Sequence, residues 1–96
     1  MTAFHVEKDS YLSVPIFNKK SRIKVVVNVD AYVNVAIFST SAFGRYETDG
    51  EASAEWWKKN RTMIEDIINL PTVGEWIFVI ENCSDNTVGG SWEIYE

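Results

Sequence analysis

Apolar and polar residues alternate along much of the chain, and this pattern predicts β-strands with one buried face. Between residues 22 and 30, every second position from Ile23 to Val29 carries a branched apolar side chain. Residues 32–39 repeat the pattern, and Asp30-Ala31 between the two runs predicts a tight hairpin.

Three further segments predict strands in the same way. Residues 10–17 are the first, and Pro15 within them indicates an edge strand or a bulge, because proline has no N–H for the strand ladder. Residues 75–81 lie between a glycine turn and a polar loop. The last segment contains Trp92 and Ile94 and follows a flexible glycine pair.

Residues 41–60 interrupt the alternation, with Gly44, Asp49 and Gly50 as loop signals, and residues 51–69 leave two interpretations open. In the first, a helix that ends at Pro71 gathers its apolar side chains on one face: Trp56, Trp57, Met63, Ile64, Ile67 and Ile68. In the second, the β-branched residues of segment 62–70 favour a strand that follows a short helix or loop.

Several short strands separated by turn signals indicate a mainly β protein. We predict a small antiparallel β-sandwich or jelly-roll, formed by a single domain over residues 1–96, with one helical or irregular excursion near 50–60. A chain of 96 residues suits one such domain.

Composition narrows the classes of function. The net charge of −5 argues against nucleic-acid binding, because neutralising phosphates requires a concentrated basic face. No apolar run approaches the roughly 20 residues of a transmembrane helix, and the N-terminus lacks the basic and apolar regions of a signal peptide. We therefore expect a soluble cytoplasmic protein.

The sequence offers weak candidates for catalysis or metal binding. Cys83 and His5 could form a thiolate–imidazole pair, but nothing in the pattern brings them together. The oxygen-rich segment 81–86 lacks the spacing of a calcium loop, and its residue types are those that turns select. We expect no enzyme activity, no metal and no cofactor, and we expect Asn82 to bond the backbone of its own loop.

Four apolar side chains occupy the strand faces that should be solvated: Val26, Phe38, Ile77 and Val79. If their strands are neighbours, they form a contiguous patch, and such patches often mark interfaces. Alternatively, residues 51–69 fold over them and complete a local core. Both interpretations stay open, and we predict an interaction surface that contains these four residues with Trp56 and Trp57.

The two adjacent tryptophans also support an alternative function. In an extended strand, Trp56 and Trp57 point to opposite faces, so one ring is exposed unless another segment covers it. An exposed indole can stack on a sugar or anchor a protein contact. The alternative is therefore a carbohydrate or small-ligand binder that uses Tyr46, Trp56 and Trp57.

Three blocks of the sequence resemble a family pattern. They are Phe4-x-Val6 leading into Ser10-Tyr11-Leu12; Val33-Asn34-Val35-Ala36-Ile37-Phe38 followed by Phe43-x-Arg45-Tyr46 and Gly50; and Leu70-Pro71-x-x-Gly74-x-Trp76 running to Ile80-x-Asn82. With these blocks the chain is similar to GOLD-like bacterial β-sandwich modules. The resemblance implies a sandwich fold and a non-catalytic role in recognition. We therefore expect a protein-interaction module or a small subunit of a larger assembly, bound to a protein partner or to a second copy of itself.

Overall fold

The computed structural model describes residues 2–50 and 52–96. These residues form six strands and one helix. In chain order the elements are β1 (Thr2–Val6), β2 (Tyr11–Asn18), β3 (Arg22–Phe38), α1 (Thr40–Asp49), β4 (Trp56–Asn69), β5 (Gly74–Asn82) and β6 (Val88–Tyr95). The prediction of a mainly β, antiparallel fold with one helical excursion is confirmed.

β3 is the central strand of a single antiparallel sheet. Along one edge, β4 pairs with nearly its whole length. Along the other edge, β6 pairs with its first half and β5 with its second half. β1 extends the sheet beyond β6, and β2 extends it beyond β5. β2 is therefore an edge strand, as Pro15 predicts.

A bend in β3 curls this sheet around a common core. The pairing with β6 ends at Val29, the pairing with β5 begins at Val33, and the register with β4 shifts over the same stretch. Apolar side chains from both halves of β3 meet in one buried cluster. The predicted hairpin at Asp30-Ala31 is therefore wrong. The two runs pair with strands from distant parts of the sequence instead of with each other, so the chain bends there and continues as one strand.

β4 follows the same bend. Trp56 and Asp66 are ten positions apart, which would separate them by about 33 Å in a straight strand. Nevertheless, Nε1 of Trp56 donates a 3.0 Å hydrogen bond to Oδ2 of Asp66, and Nζ of Lys58 lies 3.8 Å from the same oxygen. The strand interpretation of residues 62–70 is thus confirmed, and the strand begins earlier than expected, at Trp56.

α1 lies just before the predicted excursion near residues 50–60. Ser39 caps its first turn by accepting a 3.2 Å hydrogen bond from the backbone N–H of Ala42. Gly50 ends the helix in the left-handed conformation, which glycine adopts without steric cost. Residues 52–55 that follow are irregular. Over residues 2–50 and 52–96, the structure contains no helix with the length and apolar character needed to cross a membrane.

Candidate functional site

α1 covers the outer face of the sheet where β5 pairs with the second half of β3. Phe38, Ile77 and Val79 lie beneath it and are only 3%, 8% and 2% exposed. Aromatic side chains of the helix and alanines of the segment after it complete this small second core. Of the two interpretations left open by the sequence, the one in which another segment covers these apolar residues agrees with the structure. The covering segment is mostly α1 instead of residues 51–69. While α1 stays packed, these three predicted contact residues are inaccessible to a partner.

Val26, the fourth apolar residue of the predicted patch, lies in the other half of the sheet. It is half-buried on the outer face, between Glu65 of β4 and Glu93 of β6 in the strand register. The structure therefore does not gather the four predicted residues into one patch.

Trp56 and Trp57 point to opposite faces of β4, as an extended strand requires. Trp56 packs against the main core, and Asp66 accepts a hydrogen bond from its indole N–H. Trp57 lies on the outer face and is 50% exposed. The ammonium of Lys59 sits over its ring, 4.3 Å from the ring centre. Of the two tryptophans, Trp57 is the one that a partner or ligand can contact.

Tyr46, which the sequence suggests as a ligand-binding residue, is held against a carboxylate of the sheet. Its hydroxyl donates a 2.6 Å hydrogen bond to Oε2 of Glu81 on β5. Nδ2 of Asn34 on β3 donates to the other carboxylate oxygen, Oε1, at 3.0 Å. Burial raises the pKa of Tyr46 above its ordinary value, and the hydrogen bond to Glu81 raises it further. The hydroxyl therefore remains a donor at neutral pH, and two donors orient the carboxylate of Glu81.

Tyr11 lies on the other side of Glu81, because the register of β2 and β5 pairs these two residues. Its ring meets the ring of Tyr46 edge to face, with 5.3 Å between the ring centres. Its hydroxyl donates a long hydrogen bond, 3.4 Å, to Oε2 of Glu47. These four side chains line an open depression of about 430 Å³. Asp9, Ser10, Gly50, Asn82 and Cys83 complete its walls.

A second depression, of about 270 Å³, lies between Tyr46 and Trp57. Tyr46 and Glu81 line both depressions, so the outer surface is continuous from β2 to β4. We call this region the aromatic–acidic surface and define it by Tyr11, Tyr46, Glu47, Trp57 and Glu81.

The aromatic–acidic surface is not built to coordinate a metal ion. Within the described part of the chain, no group of three or more His, Cys, Asp or Glu side chains could hold one.

The amide of Asn82 is occupied by structural hydrogen bonds: its oxygen accepts from the backbone N–H of Ser84 at 2.8 Å, and its Nδ2 donates to the backbone oxygens of Val6 and Asn86. The prediction that Asn82 bonds its own loop is confirmed.

The sequence pattern alone did not identify Tyr11, Glu47 and Glu81 as parts of one surface. Phe43 and Tyr46 are three residues apart, and on a helix this spacing places both on one face. That signal could have located the covering helix. The meeting of Tyr11 with Glu81 depends on the pairing of β2 with β5, which local sequence does not encode.

The fold of this chain is similar to that of a protein with a known structure. No protein-family model and no curated protein matches the sequence. The chain is similar to the crystal structure of PliG from Aeromonas hydrophila, a periplasmic lysozyme inhibitor of g-type lysozyme, with a TM-score of 0.68. The match covers 98% of this chain and 82% of that chain at 13% sequence identity, and it therefore establishes a shared fold.

The expectation of a cytoplasmic protein is contradicted by this comparison, because PliG, which shares the fold, is a periplasmic protein. Strand patterns and net charge do not encode a compartment, so the residues could not supply this information. The resemblance to GOLD-like modules stays a prediction, since no comparison tests it.

Proposed function

We propose that this chain is a non-catalytic protein-binding module that acts in the periplasm and that its partner is a g-type lysozyme. The observation that carries this proposal is the shared fold over 98% of the chain with a protein described as an inhibitor of g-type lysozyme. A protein inhibitor binds its target through a contact surface and needs no catalytic group. The aromatic–acidic surface is suited to such a contact.

The composition of that surface supports a role in protein binding. Tyrosine and tryptophan are enriched at protein interfaces because they bury a large area with few rotatable bonds. Tyr11 and Trp57 are 39% and 50% exposed at the two ends of the surface. Tyr46 and Glu81 between them are held by hydrogen bonds, so little conformational entropy would be lost on binding.

The net charge of −5 also affects association. A negatively charged protein attracts a positively charged partner over a Debye length, which raises the association rate and makes it depend on salt. We expect the lysozyme that this chain binds to present a basic surface near its own binding site.

An inhibition assay tests the proposal. A purified g-type lysozyme clears a suspension of bacterial cell walls while increasing amounts of the folded chain are added, and a c-type lysozyme is run in parallel to measure selectivity. We expect clearance to slow in proportion to the chain that is added and to stop near one equivalent. Undiminished clearance at a large molar excess, together with no complex in titration calorimetry, would exclude the g-type lysozyme as the partner.

A carbohydrate-binding module is the second candidate, because Tyr46 and Trp57 line the same depression. Trp56 takes no part in it, since this side chain faces the core. Titration with soluble chitin or peptidoglycan fragments tests this candidate by tryptophan fluorescence. A saturable change that disappears in Trp57→Phe supports it, and no change up to millimolar glycan excludes it.

A further inference from the structure

We propose that the depression lined by Tyr11, Tyr46, Glu47 and Glu81 receives an arginine side chain of the protein partner. This inference rests on the proposed function only in that the partner is a protein; it adds which part of the aromatic–acidic surface makes the specific contact and which residue type it takes.

The charge of the depression selects a cation. Its walls contain the carboxylates of Asp9, Glu47 and Glu81, and no lysine or arginine is among the lining residues. Among the ion pairs of the described residues, those of Lys24 and Lys58 are with Glu65 and Asp66 on β4, and none involves the carboxylates of the depression. The negative charge there is therefore open to compensation by a partner.

The carboxylate of Glu81 keeps free acceptor capacity. An ionised carboxylate offers about four lone-pair sites, and the hydroxyl of Tyr46 and the amide of Asn34 use one on each oxygen. The remaining sites can accept N–H donors from a guanidinium. Both internal donors are neutral, so they orient the carboxylate without cancelling its charge.

The tyrosine rings favour a planar cation. The rings of Tyr11 and Tyr46 stand at 73° to each other, with 5.3 Å between their centres. The ring of Tyr46 also packs against Phe38 and Phe43, whereas Tyr11 is 39% exposed. A guanidinium can stack on the ring of Tyr11 and donate to a carboxylate at the same time, whereas an ammonium is a strongly hydrated point charge. The other end of the aromatic–acidic surface already shows this kind of contact, with Lys59 placed over Trp57. No cation of the chain does the same at Tyr11 and Tyr46 among the contacts of the described residues.

A titration with a small probe tests the inference without any partner protein. The probe is N-acetylarginine methylamide, added to the ¹⁵N-labelled chain and followed by heteronuclear NMR, with the neutral isostere N-acetylcitrulline methylamide as the control. We expect saturable shifts confined to residues around Tyr11, Tyr46 and the side-chain amide of Asn34, and none with the citrulline derivative. The lysine derivative should bind about threefold more weakly or worse.

Matched variants locate the contact. Glu81→Gln keeps the size of the side chain and removes its charge, and it should weaken binding about fivefold. Glu75→Gln makes the same change of net charge on the same face of β5, about 20 Å away, and should bind as the wild type does. Glu47→Gln, on an exposed helix position, should weaken binding without any effect on the sheet.

The outcomes separate this inference from the proposed function. Absence of localised shifts, equal shifts with the citrulline derivative, or unchanged affinity in both Glu81→Gln and Glu47→Gln would overturn the arginine site. If the chain inhibits g-type lysozyme and these two variants inhibit it equally well, the arginine site is wrong and the proposed function stands. If the probe binds as expected and no lysozyme is inhibited, the site stands and the proposed partner is wrong.

Discussion

Replacing Tyr46 with phenylalanine removes one hydroxyl and tests how firmly α1 is attached to the sheet. The lost hydrogen bond is short, 2.6 Å, and its acceptor is the carboxylate of Glu81. Hydrogen bonds to charged groups contribute about 1.5–3 kcal/mol. The lower part of this range applies, because Tyr46 is only partly buried and Glu81 keeps its donor from Asn34. We therefore expect Tyr46→Phe to lower the free energy of unfolding by about 1.5–2 kcal/mol.

Thermal unfolding at pH 7, followed by circular dichroism, measures this loss. For a domain of this size, a change of about 1.5–2 kcal/mol lowers Tm by about 6–16 °C. Tyr95→Phe is the matched control, since the hydroxyl of Tyr95 also donates a 2.6 Å hydrogen bond to a carboxylate, that of Glu93, but on the exposed surface. We expect little change of Tm there. Equal Tm values for Tyr46→Phe and the wild type would refute the view that this hydrogen bond anchors the helix.

Three further predictions concern stability. First, folding raises the pKa of Tyr46, so the stability that its hydroxyl contributes is complete below the ordinary tyrosine pKa of about 10 and is lost as pH rises above that value. In urea titrations from pH 9 to 12, the free energy of unfolding should therefore fall more steeply for the wild type than for Tyr46→Phe. Second, Val79→Glu buries a charge under α1 and should lower the free energy of unfolding in urea by at least about 3 kcal/mol. Ile67→Glu, at a position that is 52% exposed, should stay within about 0.5 kcal/mol of the wild type. Equal stability of the two variants would contradict the finding that α1 covers Val79. Third, a Cβ at Gly90 would lie 1.9 Å from a backbone oxygen of β3, so Gly90→Ala should lower Tm. Gly44→Ala adds a Cβ with nothing within 4 Å and should raise Tm by favouring the helix. If both substitutions change Tm in the same direction, this packing of β6 on β3 is contradicted.

Much of the sheet could be predicted because alternation reports directly on a half-buried strand. The same alternation contained a further signal. Inward positions from Ile23 to Ile37 keep odd numbers throughout, which is what one bent strand produces. The acidic residue Asp30 and the small residue Ala31 resemble a turn locally, whereas the unbroken phase of the alternation favours one continuous strand.

The helix and the candidate site could be predicted only in part. Gly44 is a poor helix former, and the segment after β3 therefore resembled a loop. Alternation places the apolar residues Phe38, Ile77 and Val79 on outward strand faces, but it cannot tell whether a partner or another part of the chain covers them. The aromatic–acidic surface depends on the long-range register of β2, β5 and β3, and a single sequence does not specify that register.

The measurement that tests the central claim most directly is titration calorimetry of the chain with a purified g-type lysozyme. It compares the wild type with Glu81→Gln and with the control Glu75→Gln at constant salt. We predict a saturable one-to-one complex, an affinity about fivefold lower for Glu81→Gln, and no change for Glu75→Gln. No complex with the wild type would contradict a lysozyme-binding module, and equal affinities of all three proteins would contradict binding through the aromatic–acidic surface.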